Sequence, residues 1–600
     1  MRVRVWACLL ALWCSGLVRA GDDVIFGGHT AGFEARYFVP TSDNEAARFL
    51  TQATFGPSRT SIAQFRGSSY EGWIDQQIAT PTTSARAYLD MLAALPTPPS
   101  LGQSQRMDRW FNTAALGPDQ LRQRMAFALS QVLVVSDRAD SLSGDHFGVA
   151  EYWDILARNA FGNYRTLLEE VTKSPMMGRY LSHWRNRKAS LDGTQLPDEN
   201  YAREIMQLFT IGLVERADDF SPILDGMGQP VPTYLQQDVS ELARVFTGWS
   251  YNCGNSGSCN TYTGINSGPA GYTPMACFPA YMDYGAKTLI GGVTIAAGPV
   301  CGTGSNGTSM PSDPGVQQAC RTYCVNQIDA ALDYLFNHPN VGPFVARQLI
   351  QRFVTSNPSG AYIARVATVF NDNGQGVRGD LGAVIRAILL DPEAREAPVD
   401  PASPYGKLRE PLLRLSAVWR AFGVTAPAAV NGEIQMGIRS PQDSFAQRPL
   451  GAPTVFNFYE PDYQPPGDLQ NDGLFAPEFQ IANETTAMTS ANELWNRVWA
   501  GYSTSGSGTF TTPTTSAYLT IADLIPLVSG ANSSGPAAYD LFLDELNLRL
   551  FGGGMSAETR ATLKNFLKFG VSETGSNRST IQVLSTIHLA LLSPEFLIQR

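Results

Sequence analysis

Charge and histidine are both scarce in this chain. Of its 600 residues 16% are charged and only five are histidine. His29, His146, His183, His338 and His588 stand alone, none with a second histidine three or four positions away. No H-E-x-x-H pair occurs, which excludes a zinc-protease helix. C-x-x-C-H and G-x-S-x-G are absent, and no glycine-rich phosphate loop follows a strand. These gaps argue against a c-type haem, a hydrolase nucleophile elbow and a nucleotide fold. Beyond the N-terminus there is no run of about 18 apolar residues, so no transmembrane span is expected. A basic excess is missing too: the net charge is −10, which argues against a nucleic-acid partner.

The first twenty residues differ from the rest. Arg2 and Arg4 precede an apolar stretch from Val5 to Leu17, and Val18 and Ala20 fit a small-residue cleavage pattern before Gly21. This reads as a secretory signal over residues 1–20, with a buried N-terminal helix as the alternative. Removing Arg2, Arg4 and Arg19 takes the net charge from −10 to −13. The expected location is therefore the periplasm or the extracellular space. About 580 residues remain, enough for two or three subdomains.

Two of the eight cysteines fall within the signal. The other six, Cys253, Cys259, Cys277, Cys301, Cys320 and Cys324, share one window. In an exported chain they read as three disulfides, with the pairing open. Cys320 and Cys324 lie four apart at the start of a helix, so each is expected to pair elsewhere. The rival reading, a zinc site, has no C-x2-C and no histidine between residues 253 and 324 to support it.

The pattern elsewhere is helical. Apolar residues recur with helical spacing at Tyr70–Ile78, Ser104–Ala115, Asp119–Val135, Val341–Phe353, Gly360–Phe370 and Pro411–Ala421, among others. Ser42 with Glu45 fits a capping box, as does Asp238 with Glu241. KTLIGGVTIAA, residues 287–297, reads as a hairpin around Gly291-Gly292. The fold class is mainly α, a multi-helical globular fold around two cores, with a disulfide-stapled loop and β-hairpin insertion. The divisions are a signal (1–20), an N-terminal helical region (21–249), the cysteine-rich insertion (250–325), a second helical region with a proline- and aromatic-rich segment (326–500), and a flexible loop with C-terminal helices (501–600).

Several phrases carry a resemblance. They include AARFLTQATFGPS (46–58), LRQRMAFALSQVLVVS (121–136), PDENYAREIMQLFTIGL (197–213), DVSELARVFTGWS (238–250), GAKTLIGG (285–292), HPNVGPFVARQLIQRFVTSNPS (338–359), KLREPLLRLSAVWRAFG (407–423), APTVFNFYEPDYQPPG (452–467) and LLSPEFLIQR (591–600). Together they resemble the bacterial domain-of-unknown-function family 1800, in order along most of the chain. The resemblance implies an exported bacterial protein without an established activity. It also implies a possible partner, a sulfatase-like exported protein of a neighbouring family numbered 1501. Relatives carry a His-Asp pair before the glycine of the GAKT phrase, where this chain has Met282-Asp283.

The densest polar cluster runs from Asp198 to Glu204. On a helix, Asn200, Arg203, Glu204 and Gln207 fall along one stripe. Glu199 or Glu204 could act as a general base or bind a cation, and Arg203 could fix an anion. Equally, Asp198 and Glu199 suit a helix N-terminus, and Arg203 and Glu204 suit pairing between helices. Glu241 and Arg244 repeat the acidic-then-basic order on the next helix. His146 and His183 are the histidines placed beside charged groups. Arg185, Arg187 and Lys188 form a basic patch that suits an anion such as sulfate, or a solvated helix end. Two functions follow as expectations: an accessory or binding protein acting with an envelope or extracellular partner, or a novel hydrolase built on the 197–213 helix. Neither a metal nor a cofactor is specified by the sequence.

Overall fold

A computed structural model describes residues 39–252, 262–263, 271–396, 403–427, 429–502, 517–535, 539–572, 575 and 577–600. The signal segment 1–20, Cys253, Cys259 and most of the expected loop at 502–516 lie outside the described residues.

Helices dominate, and side-chain caps set where many of them start. Ser42, Ser58, Ser69 and Ser84 each accept a backbone N–H from the first turn of the helix that follows. Glu45 departs from the expected box. Its carboxylate reaches back to the Thr41 N–H and hydroxyl at 2.7 and 2.8 Å, not to Ser42. The second expected box is shifted as well. The helix Gln236–Val245 begins two residues early, and Asp238 accepts the Leu235 N–H from inside its first turn. Glu241 is thereby released for an ion pair with Arg244.

The buried apolar side chains form one continuous core from Ala46 to Phe596, with two small satellites, where the sequence suggested two cores. The C-terminal part holds the helices Glu484–Val498, Tyr539–Phe551, Ala557–Phe569 and Arg578–Leu591. They fold back on the N-terminal half. Strand Ile598–Gln599 pairs with Lys407–Leu408, and Tyr539–Phe551 packs on both Asp43–Ala53 and Pro411–Phe422. At Gly56 the backbone passes close to the helix Pro411–Phe422: φ is 126° and a Cβ would sit 2.6 Å from the Ala417 Cα.

Strands are few and short. The expected hairpin pairs Lys287–Thr288 with Thr294–Ile295, in the register Lys287 to Ile295 and Thr288 to Thr294. Beside it, Cys277 joins Cys324 and Cys301 joins Cys320, with Cα separations of 6.4 and 5.7 Å. The helix that carries Cys320 and Cys324 starts at Pro314, so the two cysteines lie in its second and third turns and not at its start. Asp313 caps its first turn, Pro314 occupies the first helical position, and both cysteines lie on its buried stripe with Ile328 and Ala331. Among the described residues no helix is long and apolar enough to cross a membrane.

The 197–213 segment holds the largest local surprise. Its α-helix is short, Asn200–Glu204, and widens into a π-helical stretch, Ile205–Thr210. The Ile211 and Gly212 N–H groups both close on the Met206 carbonyl. Gly212, at φ 71°, then turns the chain into an irregular paired arm over residues 213–233. A π-helical turn is uncommon and often accompanies a functional site.

Candidate functional site

The π-helical turn, the start of the arm, the helix Val341–Phe353 and the segment 455–462 enclose a cleft with about 260 Å³ of room. Four of the family-like phrases meet there, bringing Gln131, Gln207, Arg347, Gln348, Arg352, Asn457 and Tyr459 together. Arg216 and Phe220 come from the arm. Arg347 pairs with Asp462, and its guanidinium lies 4.7 Å from the Phe220 ring centroid. The Arg216 guanidinium lies 4.4 Å from the same ring. Two cations therefore share one aromatic ring and one neighbouring carboxylate.

The hydrogen bonds of Arg216 and Arg352 run to neutral oxygens. Arg216 donates to the Phe220 carbonyl at 3.0 Å. Arg352 donates to the Gln348 side chain at 2.6 Å and the Gln131 carbonyl at 3.1 Å, and its Nε is buried without a partner. Burial pulls both guanidinium pKa values down. Asn457 is 5% exposed, and neither Oδ1 nor Nδ2 of its side chain has a hydrogen-bond partner. Asn457 and Phe220 also hold left-handed backbone, at φ 70° and 68°. That is tolerable for asparagine and costly for phenylalanine, and such strain gathers at functional sites.

A buried ionic network lies behind the cleft. Lys407, fully buried, donates to the Gln351 and Arg352 carbonyls at 2.8 and 3.0 Å and pairs with Glu478 at 2.9 Å. Glu410 accepts Gln131 and Gln447 amides at 2.6 Å each. The Tyr459 hydroxyl donates to Gln131 Oε1 at 2.9 Å. Glu410 thus fixes the orientation of the Gln131 amide, and Gln131 fixes the Tyr459 hydroxyl. Burial raises the pKa of Glu478, against the lowering effect of Lys407.

The residues singled out from the sequence fall in three other places. Glu199 accepts Arg203, Gln236 and Ser240 at 3.2, 2.7 and 2.5 Å, joining its helix to the next. Asn200 is exposed, its N–H held by Asp198. Glu204 is buried, with Oε2 unpartnered, and burial raises its pKa. Of the expected stripe only Gln207 lines the cleft. His183 is buried, stacked on Tyr201 at 3.9 Å, with Nε2 2.8 Å from the Thr172 carbonyl. Burial lowers its pKa to about 4, so the ring is neutral near pH 7. His146 starts the helix His146–Arg158, and its pKa is lowered by burial and then by Arg106.

The third group surrounds the GAKT phrase. Arg244 grips Asp283 through two 3.0 Å bonds and Glu241 through bonds of 2.8 and 2.9 Å, while Glu241 accepts the Thr288 N–H. Lys287 is buried there, and burial lowers its pKa to about 8. Met282, just before Asp283, is fully buried. Arg185, Arg187 and Lys188 each lie over aromatic rings: Trp184 at 4.0 Å, Tyr262 at 5.3 Å and Tyr284 at 4.8 Å. They are half-buried against the loops of the insertion. Among the described residues no group of three His, Cys, Asp or Glu side chains is placed to hold a metal ion.

Sequence reasoning missed Arg216, Arg347, Arg352, Asn457 and Lys407. One signal was present: Arg347, Gln348, Gln351 and Arg352 interrupt an otherwise apolar helix, VGPFVARQLIQRF. Residues 48–598 match the model of the family described as Protein of unknown function (DUF1800). No curated protein and no solved structure matches the chain.

Proposed function

Because the chain belongs to the DUF1800 family, whose description names no activity, we propose a function from the cleft itself: an exported binding protein that holds an anionic ligand. One observation carries this reading. Half-buried Arg216 and buried Arg352 hydrogen-bond only to neutral oxygens, and Arg216 shares the one Asp462 carboxylate with Arg347. Three guanidiniums, Arg216, Arg347 and Arg352, line the cleft against two carboxylates, Glu460 and Asp462, and an anion in the cleft would balance the remaining positive charge. Arg216 of the arm and Asn457 both line the space such a ligand would occupy.

Calorimetry with citrate and with sulfate at low ionic strength tests this on the mature chain. Binding is expected, weakened about tenfold or more in Arg216→Gln, as for loss of one charge-assisted hydrogen bond. If every anion tried gives no heat, or the variant binds equally well, the reading fails. Export rests on the signal segment, and mass spectrometry should find Gly21 as the mature N-terminus in the native host. The partner side of the reading keeps the sulfatase-like exported protein, since a sulfated ligand would suit both. Tagged chain should retrieve it from native envelope extracts, and retrieval of nothing removes that partner.

A second reading, a hydrolase-type enzyme, draws on Glu204. A buried carboxyl with an unpartnered oxygen and a raised pKa is suited to general acid catalysis. Its helix delivers Gln207 to the cleft three residues later. Turnover of 4-nitrophenyl sulfate, phosphate or glycosides that disappears in Glu204→Gln would support it. No turnover above the blank on any of them sinks it.

A further inference from the structure

We infer that the ligand of the cleft is an acidic saccharide, a sugar unit carrying a carboxylate or a sulfate ester. This rests on the anion-binding reading above and goes beyond it. The buried Asn457 side chain leaves its acceptor Oδ1 and its donor Nδ2 both unmet. An inorganic anion offers acceptors only, so it could satisfy Nδ2 but not Oδ1. A hydroxyl both donates and accepts, and so could meet both needs of the amide. Gln207 adds a further amide, both donor and acceptor, to the cleft lining.

Size and apolar surface point the same way. About 260 Å³ is far more than a small anion needs, when one water takes about 30 Å³ of liquid. Phe220, Phe344 and Phe456 line the same space, and Phe456 stays 45% exposed. An exposed ring beside amides and guanidiniums offers a stacking face for the C–H side of a sugar ring, while the arginines take its acid group. An acidic peptide is the competing ligand. It would favour an open backbone edge, but the arm beside the cleft has spent its own: Glu215 N–H bonds to Val231 and Ala217 N–H to Ser221.

Calorimetry on the full mature chain decides the matter with five probes. They are a galacturonate trisaccharide, a sulfated galactose trisaccharide, the neutral galactose trisaccharide, citrate, and an N-acetylated triglutamate peptide. At least one acidic trisaccharide should bind ten times more tightly than the neutral sugar, citrate or the peptide. Which acid is preferred separates the carboxylate source from the sulfate source. Phe456→Ala, at an exposed position, should weaken that sugar about threefold to tenfold and leave citrate unchanged. If citrate binds as tightly as the sugars, the saccharide inference falls and anion binding stands. If the peptide binds best, the saccharide inference is overturned in favour of a peptide. If no probe binds, both readings are overturned.

Discussion

Replacing Lys407 with methionine perturbs the network behind the cleft with little change of volume. The Lys407 Nζ is fully buried, and it satisfies two carbonyls in the last turn of the helix Val341–Phe353 as well as Glu478. Methionine leaves all three unmet. Removing one partner of a buried pair costs about 3–5 kcal/mol, since the remaining charge stays desolvated. Unfolding entropy of about 2.1 cal/mol/K per residue, over 600 residues, converts about 4 kcal/mol into a Tm loss of about 3 °C if unfolding is cooperative.

The deficit of this variant should depend on pH. Burial holds the Glu478 carboxyl above its ordinary pKa, and Lys407 pulls it down. A carboxyl with a raised folded pKa binds more protons folded than unfolded, so its contribution is lost as pH rises from the ordinary carboxylate range through the raised value. Without Lys407 that value climbs further, and the deficit should be smaller at pH 5 than at pH 7. Adding Glu478→Gln should restore at least half of the loss at pH 7. Guanidinium unfolding followed by tryptophan fluorescence measures each variant. A deficit that is flat between pH 5 and pH 7, or a double variant no better than the single one, refutes the reasoning.

Three further outcomes are expected. Replacing Cys301 and Cys320 by serine opens a 19-residue separation and should cost about 3 kcal/mol; the Cys277 and Cys324 pair, 47 residues apart, should cost about 4 kcal/mol. Guanidinium unfolding with and without reductant checks this, and reductant should have less effect on each serine variant than on the parent. His183 should stay neutral well below pH 6, because burial holds its pKa near 4. The unfolded chain then takes up the proton first, so stability is lost as pH falls from about 6.5 to 4, by about 3 kcal/mol; an imidazole resonance of His183 titrating near 6.5 would contradict this. Gly56→Ala should destabilise by about 2–3 kcal/mol, since its Cβ meets the Ala417 backbone at 2.6 Å and its φ is 126°. A variant unfolding at the parent's denaturant midpoint would count against that contact.

The division between sequence and structure shows in particular elements. Local rules were legible: the Ser42 cap, the hairpin at Lys287–Thr288, and most helices, because capping and apolar spacing act over a few neighbouring residues. Cys320 and Cys324 pair elsewhere as their shared helix requires, with Cys301 and Cys277. The family-like phrases alone identified the family, now matched over residues 48–598. The polar stripe at 197–213 was legible as a stripe, but the π-helical widening at Ile205–Thr210 left only Gln207 on the cleft. Which surface each helix turns to its neighbours is set by packing across hundreds of residues. Asn457 reads in sequence as one more turn residue. Only the tertiary structure buries its amide unpartnered, and only there do Arg216 and Arg352, 136 positions apart in sequence, line the same cleft.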